Sequence, residues 1–341
     1  MRLSRVLAAA FASTALLASA SCSSGSNAAN NNNPPPIQKV TYSTSFGQFG
    51  REAFIYVAIA KGYFKTANLD VTVKVGAGTG DDLKQLASGN LDFVPVDFTG
   101  ALIQYGNGKA QGFVGVAAIH QRTLASIVTL EGRNISSPKD LEGKTIGDAA
   151  GSTNGLMFPT YAKLAGVDAS KVHWVAMPPP QQPAALAAGT VDCIGNFVVG
   201  KPTIEKAAGG KTAVILPFSD YLTDVYGNYL VTTTKMAKEK PDLVKKFSAA
   251  LLQGLRYAVD NPEEAGQILH KAVPAQDATV AAGELKLMKQ YVNSSGSGAS
   301  VGAMDQQRVA RAIALLQGAN AVPAGITPDK LVDFSLVPKA S

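Results

Sequence analysis

Cysteine is scarce in this chain, with two among 341 residues, Cys22 and Cys193. A scaffold held together by several disulfides is therefore excluded. The three histidines, His120, His173 and His270, show no spacing that would hold a metal ion. The net charge is +6, but the Lys and Arg residues do not form a block in the sequence, so a nucleic-acid partner is not expected.

Two short enzyme motifs occur without the context that they need. Residues 298–302 have the G-x-S-x-G spacing of a nucleophile elbow, but the preceding residues are loop-like and no histidine follows. Residues 195–201 have the spacing of a phosphate-binding loop, but Pro202 stands where Ser or Thr would hold magnesium. The sequence therefore predicts a protein that is not an enzyme and that uses no cofactor or metal.

The first 21 residues have the pattern of a secretion signal. Arg2 and Arg5 precede an apolar run, residues 6–18, that is too short to span a membrane. Small residues then lead to Cys22, which we predict to be lipidated as the first mature residue; cleavage after Ala20 is the alternative. Residues 22–37, rich in Ser, Gly, Asn and Pro, are predicted to form a flexible tether. We therefore expect an exported protein that is lipid-anchored to the outer face of the cell membrane.

From residue 39 onwards, short β-rich runs alternate with helical patterns, which predicts βαβ units and an α/β fold. Residues 86–92 (LASGNLD) are echoed by residues 186–192 (LAAGTVD). Each copy contains the end of a predicted helix, then a glycine, then a strand that opens with an apolar residue and Asp. Each copy also occupies the same position in its own series of βαβ units. This echo predicts two similar α/β lobes. After about residue 230 the pattern becomes helical.

Candidate ligand-binding residues follow from the rule that ligands of α/β sheets bind beyond the carboxyl ends of the strands. After the predicted strands 91–96 and 191–194, each lobe offers a polar residue followed by Phe. Glycine-rich turns add helix N-termini, which favour polar or anionic ligand groups. The predicted ligand-binding residues are Phe46, Phe49, Arg51, Thr79, Asp97, Phe98, Ser152, Thr153, Asn196, Phe197, Tyr226 and Asn228.

Each type of candidate has a purely structural alternative. The phenylalanines could pack in the core beneath neighbouring helices, and the short polar residues could serve only as helix caps. Cys193 lies in an apolar stretch and is predicted to be a buried structural thiol.

Several stretches together resemble the NMT1/THI5-like family, the sulfonate-, nitrate- and taurine-type substrate-binding proteins of ABC importers. They lie between residues 39 and 316: 56–58, 61–64, 68–71, 86–92, 96–98, 137–144, 146–147, 240–244 and 261–265. The resemblance implies a type II periplasmic-binding-protein fold, in which two α/β lobes joined by two crossovers enclose a cleft. The first lobe would comprise residues 38–127 plus 222–341, and the second lobe residues 128–221.

The resemblance also implies a monomer that closes on a small-molecule ligand by hinge motion and then docks on an ABC permease. In thiamine-precursor members, aromatic residues stack on a pyrimidine and a carboxylate, here Asp97, binds its amino face. This chain has Phe46 where many members have Trp, which weakens the thiamine assignment. Arg51 and Arg122 would instead suit a sulfonate, taurine or nitrate anion.

A carboxylate at Asp97 would repel an anion, so the sequence favours a neutral or cationic nitrogenous heterocycle. Two alternatives of other classes stay open. A pyrimidine-synthase-like enzyme is disfavoured, because its cysteine-rich motif needs more cysteines than this chain has. A module that reports ligand occupancy to a membrane receptor fits the same sequence.

Overall fold

Strands and helices alternate along the chain in this computed structural model, which describes residues 36–223, 225–293 and 301–338. The predicted signal segment, Cys22 and nearly all of the predicted tether lie outside the described residues. The strands are β1 (Gln38–Ser43), β2 (Leu69–Lys74), β3 (Val94–Asp97), β4 (Phe113–Ala118), β5 (Ala125–Leu130), β6 (Thr145–Asp148), β7 (His173–Ala176), β8 (Cys193–Phe197), β9 (Ala213–Pro217) and β10 (Asn228–Thr233).

The helices begin and end at residues that suit those positions. Pro241 and Pro262 stand in the first turns of two helices, where the missing N–H costs nothing, and Gly166 ends another in the left-handed conformation. The helices are α1 (Ala53–Ala60), α2 (Tyr63–Thr66), α3 (Thr79–Ala87), α4 (Phe98–Gly106), α5 (Thr153–Ala165), α6 (Gln182–Ala188), α7 (Lys201–Ala207), α8 (Thr234–Glu239), α9 (Pro241–Asp260), α10 (Pro262–Ala272), α11 (Ala278–Val292) and α12 (Gln306–Gly318).

The first sheet consists of two ladders that join along one edge. β1 pairs with β2 in parallel, and β10 lies antiparallel between β3 and β4. A parallel bridge between Tyr42 and Phe93 connects the ladders, and the Ser43 N–H donates to the Phe93 carbonyl oxygen over 3.2 Å. The strand order is therefore β2-β1-β3-β10-β4, with β10 as the antiparallel strand.

The second sheet has the order β7-β6-β8-β5-β9, with β5 antiparallel to β8 and β9. This is the order of the first sheet, with β5 in the place of β10. The chain passes from the first sheet to the second through residues 119–124, the first crossover, and returns through residues 218–227, the second crossover. The predicted lobe division at 127/128 falls inside β5.

The two echoed segments make the same hydrogen bond in the two sheets. The Asp92 carboxylate accepts the Thr41 N–H over 2.8 Å, and the Asp192 carboxylate accepts the Thr145 N–H over 2.9 Å. Each carboxylate thereby ties the loop before the third strand of its sheet to the first strand. The echo in the sequence therefore reflects a repeated structural unit.

Arg308 of α12 contacts both crossovers. Its guanidinium donates to the carbonyl oxygen of Gln121 in the first crossover and to that of Val225 in the second, the latter over 3.4 Å. Its Cζ lies 4.0 Å from the ring centroid of Tyr226. One side chain from the C-terminal helices thus holds the two connections side by side.

The two halves pack directly against each other. One hydrophobic cluster contains residues of both, and within it Tyr161 of α5 stacks on Phe218 of the second crossover at 4.1 Å. Cys193 is buried in β8, as predicted, and burial raises the pKa of its thiol to about 12. Among the described residues, no helix has both the length and the apolar character needed to span a membrane.

Candidate ligand-binding site

The N-terminal ends of α3 and α5 meet where the carboxyl ends of the two sheets face each other. The Thr79 and Thr153 hydroxyl oxygens lie 2.7 Å apart, and the Gly80 N–H donates to the Gly151 carbonyl oxygen over 2.9 Å. A Cβ on Gly80 would lie 2.7 Å from that oxygen, so the close approach requires glycine here. The structure therefore brings two predicted site residues, Thr79 and Thr153, into contact across the boundary between the halves.

The Arg51 guanidinium lies between aromatic rings that come from both halves. Its Cζ is 4.7 Å from the ring centroid of Phe49 and 4.8 Å from that of Phe197. Phe46 meets Phe197 edge to face, with 5.8 Å between ring centroids. Planar guanidinium groups stack well on aromatic faces. We call Phe46, Phe49, Arg51 and Phe197 the Arg51 cluster; it unites four of the predicted site residues.

Polar contacts hold Arg51 in place. Its N–H donates to Glu284 Oε2 over 3.0 Å, its Nη1 lies 3.7 Å from the same oxygen, and its Nη2 donates to the Phe46 carbonyl oxygen over 3.0 Å. Burial lowers the pKa of Arg51, while the charges of Glu284 and Glu52 act in the opposite direction. Among the buried described residues, Arg51 is the only Lys or Arg. The buried positive charge of the site is therefore already balanced by acidic groups of the protein.

Glu284 of α11 also reaches the second half. It accepts a hydrogen bond from the Thr203 hydroxyl of α7, and burial raises its pKa although Arg51 opposes this. On the surface nearby, Lys206 Nζ lies 2.5 Å from Asp277 Oδ2. Exposed ion pairs contribute only about 0–1 kcal/mol, so the buried contact is the more important one. α11 thus links the Arg51 cluster to the second half.

Asp97 is the last residue of β3 and lies between two helix starts. Its Oδ1 accepts the Gly100 N–H over 2.9 Å, and its Oδ2 accepts the Thr123 hydroxyl over 3.4 Å. Its own N–H donates to Thr79 Oγ1 over 3.1 Å, and it pairs with Asn228 in the β3–β10 register. Burial raises the pKa of Asp97 to about 6, although these hydrogen bonds oppose the shift. Asp97 therefore caps α4, the structural role considered for it above.

A second buried carboxylate, Asp148, ends β6 and supports the predicted site residue Ser152. Asp148 Oδ2 accepts the Ser152 hydroxyl over 2.5 Å, and its Oδ1 accepts the Ala149 N–H and the Gln182 side-chain amide, over 2.7 and 3.2 Å. Ser152 Oγ in turn accepts the Gly155 N–H and caps α5. Burial raises the pKa of Asp148 to about 7.

Asn196 lies beside the Arg51 cluster. Its Oδ1 accepts the Phe197 N–H over 2.7 Å, and its carbonyl oxygen accepts the Ser126 hydroxyl over 3.0 Å. A Cβ on Gly200 would lie 2.5 Å from Asn196 Oδ1 and 3.9 Å from Arg51 Nη1, so the two side chains flank the same glycine. The prediction that a strand ends before Asn196 is wrong, because β8 continues through Phe197 in its pairing with β5.

Phe98 and Tyr226 contact each other, with 6.0 Å between ring centroids, rather than the Arg51 cluster. Phe98 is fully buried and lies 5.3 Å from the ring of Tyr229. The Tyr226 hydroxyl accepts the Asp305 N–H over 2.8 Å, and Arg308 covers its ring. The described contacts of Phe98 are those of a core residue, and those of Tyr226 belong to the second crossover.

Two residues of the site were missed from the sequence. His120 is buried two residues beyond the end of β4, and the strand-end rule that selected Asp97 would have selected it too. Glu284 lies on the buried face of α11, together with Ala281 and Leu285. An acidic residue on an otherwise apolar helix face indicates a buried polar contact, because a buried charge needs a partner.

Comparison with known proteins identifies the family with which this sequence and fold agree. The family described as NMT1/THI5 like matches residues 51–265. The formylaminopyrimidine-binding protein of Halalkalibacterium halodurans is 27% identical over 218 residues, which are 63% of this chain and 65% of that relative. The 4-amino-5-hydroxymethyl-2-methylpyrimidine phosphate synthase of Candida albicans is 26% identical over 229 residues, 62% of this chain and 64% of that relative. The match thus spans a little under two thirds of these relatives' own lengths.

Solved structures show the same fold. The aliphatic sulphonate binding protein SsuA from Escherichia coli has a TM-score of 0.63 at 14% identity, covering 86% of this chain and 92% of its own. The nitrate-binding protein NrtA from Synechocystis has a TM-score of 0.69 at 14% identity, covering 89% and 88%. The expected periplasmic-binding-protein fold is therefore confirmed, and the chain belongs to the NMT1/THI5-like family.

Proposed function

We propose that this protein is the exported, lipid-anchored solute-binding component of an ABC importer. We further propose that its ligand is a small, flat, neutral nitrogenous heterocycle of the thiamine-pyrimidine-precursor class. The observation that carries this proposal is the convergence of Phe46, Phe49 and Phe197, from both halves, around the buried guanidinium of Arg51. A relative that is named for binding a formylaminopyrimidine supports the same class.

The aromatic side chains favour a flat ligand. Binding sites for small molecules combine apolar and aromatic walls with a few oriented polar groups. Here the rings of Phe46 and Phe197 meet edge to face, while Asn196 and Asn228 supply buried amides. A conjugated ring buried against these side chains gains apolar contact area, and the amides provide hydrogen-bond partners for its polar edge.

The charge balance favours a neutral ligand over an anion. Arg51 is paired with Glu284 and also feels the charge of Glu52. A sulfonate or nitrate would need an unpaired cation or would have to displace Glu284, leaving a buried charge uncompensated, which is costly. The buried carboxylate of Asp97 adds further repulsion. These groups make the anion class the weaker candidate.

Closure of the halves on the ligand supplies the mechanism. In our interpretation the two lobes, residues 38–127 with 222–341 and residues 128–221, approach through the Thr79–Thr153 contact and the Gly80–Gly151 hydrogen bond. A ligand that touches both lobes binds the closed form better and increases its population. The permease would then recognise the closed form.

We also propose that the chain binds its ligand without converting it, although one relative is named as a pyrimidine phosphate synthase. Cys193, the only cysteine after the predicted lipidation site, is buried, and burial raises the pKa of its thiol to about 12. Such a thiol is an inert structural group.

Calorimetry with the purified protein tests the ligand class. We expect saturable binding of formylaminopyrimidine or its aminopyrimidine analogues, and none of taurine, alkanesulfonates or nitrate at the same concentrations. Tight binding of an anion with no binding of any heterocycle would overturn the proposal. For the anchor, we expect Cys22→Ser to abolish fatty-acid labelling and to release the protein from the membrane fraction.

A further inference from the structure

His120 lies in the first crossover, and its backbone is fixed by the second. Its N–H donates to the Asn228 carbonyl oxygen over 2.9 Å, and its carbonyl oxygen accepts the Gly227 N–H over 3.1 Å. The residue is 3% exposed. Its position beyond the carboxyl end of β4 is that of a ligand-facing residue.

The hydrogen bonds of the ring determine which nitrogen carries the proton. The Asn228 N–H donates to His120 Nδ1 over 3.4 Å, so Nδ1 is an acceptor and the proton sits on Nε2. Burial and the charge of Arg51 lower the pKa of His120 to about 3, which keeps the ring neutral. Nε2 is buried and has no hydrogen-bond partner among the described residues. His120 therefore presents an unsatisfied N–H donor.

Arg51 presents a second such donor. Its backbone N–H, Nη1 and Nη2 are engaged by Glu284 and by the Phe46 carbonyl oxygen. Its Nε is buried and has no partner among the described residues. Unpaired buried donors are rare in native structures and costly. Other buried hydroxyl groups in the described part of the chain also lack partners, but these two N–H donors belong to residues near enough for the charge of Arg51 to lower the pKa of His120, so a single missing group would supply acceptors to both.

We propose that His120 is a ligand-binding residue whose Nε2–H donates to an acceptor on the ligand, with Arg51 Nε–H as the second donor. This inference rests on the proposed function and narrows its ligand class. The ligand carries a carbonyl or amide oxygen, or a ring nitrogen with a free lone pair, on the edge that faces His120. A cationic ligand edge is excluded at this position, because it would face the Arg51 charge and offer no acceptor.

The test compares two ligands on matched variants. One ligand is an N-formylated aminopyrimidine, and the other is the same pyrimidine with a free amino group and no formyl oxygen. His120→Leu removes the donor, whereas His120→Gln keeps an N–H donor near the position of Nε2. His173→Leu, on the exposed strand β7, is the control. Thermal unfolding of each variant verifies that it is folded.

We expect His120→Leu to weaken binding of the formylated ligand by about tenfold or more, while His120→Gln and His173→Leu stay within about threefold. The ratio of affinities for the two ligands should shrink in His120→Leu, which a purely structural role of His120 would not cause. In ¹⁵N-histidine-labelled protein, the Nε2 resonance that His120→Gln removes should shift when the formylated ligand is added.

The outcomes separate the two proposals. If the wild type binds the pyrimidines but the affinity ratio is the same in His120→Leu and the Nε2 resonance does not move, the role of His120 is wrong and the proposed function stands. If the wild type binds neither pyrimidine, the proposed function fails and this inference fails with it.

Discussion

The two sheets have the same strand order and are cross-linked in the same way, yet they carry different additions. In the first sheet Thr232 of the antiparallel strand donates to the Asp92 carbonyl oxygen over 2.8 Å. In the second sheet Thr129 of the antiparallel strand donates to the Asp192 carbonyl oxygen over 2.7 Å. The repeated unit therefore includes the antiparallel strand that arrives from the other half.

The difference lies in what covers each sheet. The C-terminal helices α9 to α12 follow β10 of the first sheet and bring Glu284 to the Arg51 cluster and Arg308 to the crossovers. The second sheet ends in β7, whose four residues are all exposed. The helices found in only one half therefore supply two of the residues that connect the halves, Glu284 and Arg308, in addition to the contacts made at the ends of the sheets.

The largest expected effect comes from separating the two sheets at their point of contact. In Gly80→Val, the new side chain would lie within 2.7 Å of the Gly151 carbonyl oxygen and block closure. We expect ligand affinity to fall by at least about 100-fold with little change in thermal stability, because closure and not folding is impaired. Gly318→Val, at a glycine with open space around it, is the control. Unchanged affinity in Gly80→Val would show that binding does not need this contact.

The second prediction compares the buried carboxylates at the strand ends, Asp148 in the second sheet and Asp97 in the first. Burial raises the pKa of Asp148 to about 7 and that of Asp97 to about 6. The folded state therefore holds protons that the unfolded state releases, so stability falls as pH rises from about 4 towards 7. We expect Asp148→Asn to remove about 2 kcal/mol of the stability change between pH 5 and 7, and Asp97→Asn to remove less. Urea denaturation across this range measures it; superimposable pH profiles for wild type and Asp148→Asn would contradict it.

The third prediction tests the equivalence of the two echoed segments. Asp92→Ala and Asp192→Ala each leave a strand N–H without its acceptor, and each should lower the free energy of unfolding by about 1–2 kcal/mol. Asp70→Ala, on the exposed face of β2, should change it by less than about 0.5 kcal/mol. A loss in only one of the two aspartate variants would mean that the echo is not a structural equivalence.

The smallest effect is expected from the hydroxyl pair that bridges the halves. Thr153→Val keeps the shape of the side chain and removes its hydrogen bond to Thr79, which is the one that the Thr153 hydroxyl makes among the described residues. A net hydrogen bond contributes about 0.5–1.5 kcal/mol, so ligand affinity should fall between about twofold and tenfold. Calorimetry gives the affinity, and an unchanged melting temperature would place the effect on closure.

Local rules were enough to predict much of the fold. Gly166 at the end of α5 and Pro262 in the first turn of α10 stand where local rules place these residue types. The alternating pattern and the repeat indicated two α/β units, and the family resemblance gave the fold. The strand β10 was not predicted, because it is inserted between β3 and β4 by long-range pairing that no local pattern specifies.

The site was predictable where it depends on strand ends and less so where it depends on distant packing. Phe197 and Arg51 were both selected, but their contact joins residues 146 positions apart in the chain, and no local pattern predicts it. Glu284 lies 233 residues from Arg51 in the chain, and only the tertiary structure brings them together. Asp97 and Ser152 were selected as ligand contacts. Both accept hydrogen bonds from helix N-termini, so both have the capping role that was the structural alternative. Their contact with the ligand stays a prediction.

Arg308 has a consequence for how such a molecule moves. The side chain is separated from Gln121 by 187 positions in sequence, yet it bonds to the first connection and covers a tyrosine of the second. The two connections are therefore coupled, and neither can twist without straining the other through the same guanidinium. If the halves open and close as proposed above, any relative rotation of the two connections must preserve or break these Arg308 contacts, so a side chain of the C-terminal helices would influence how easily the halves separate.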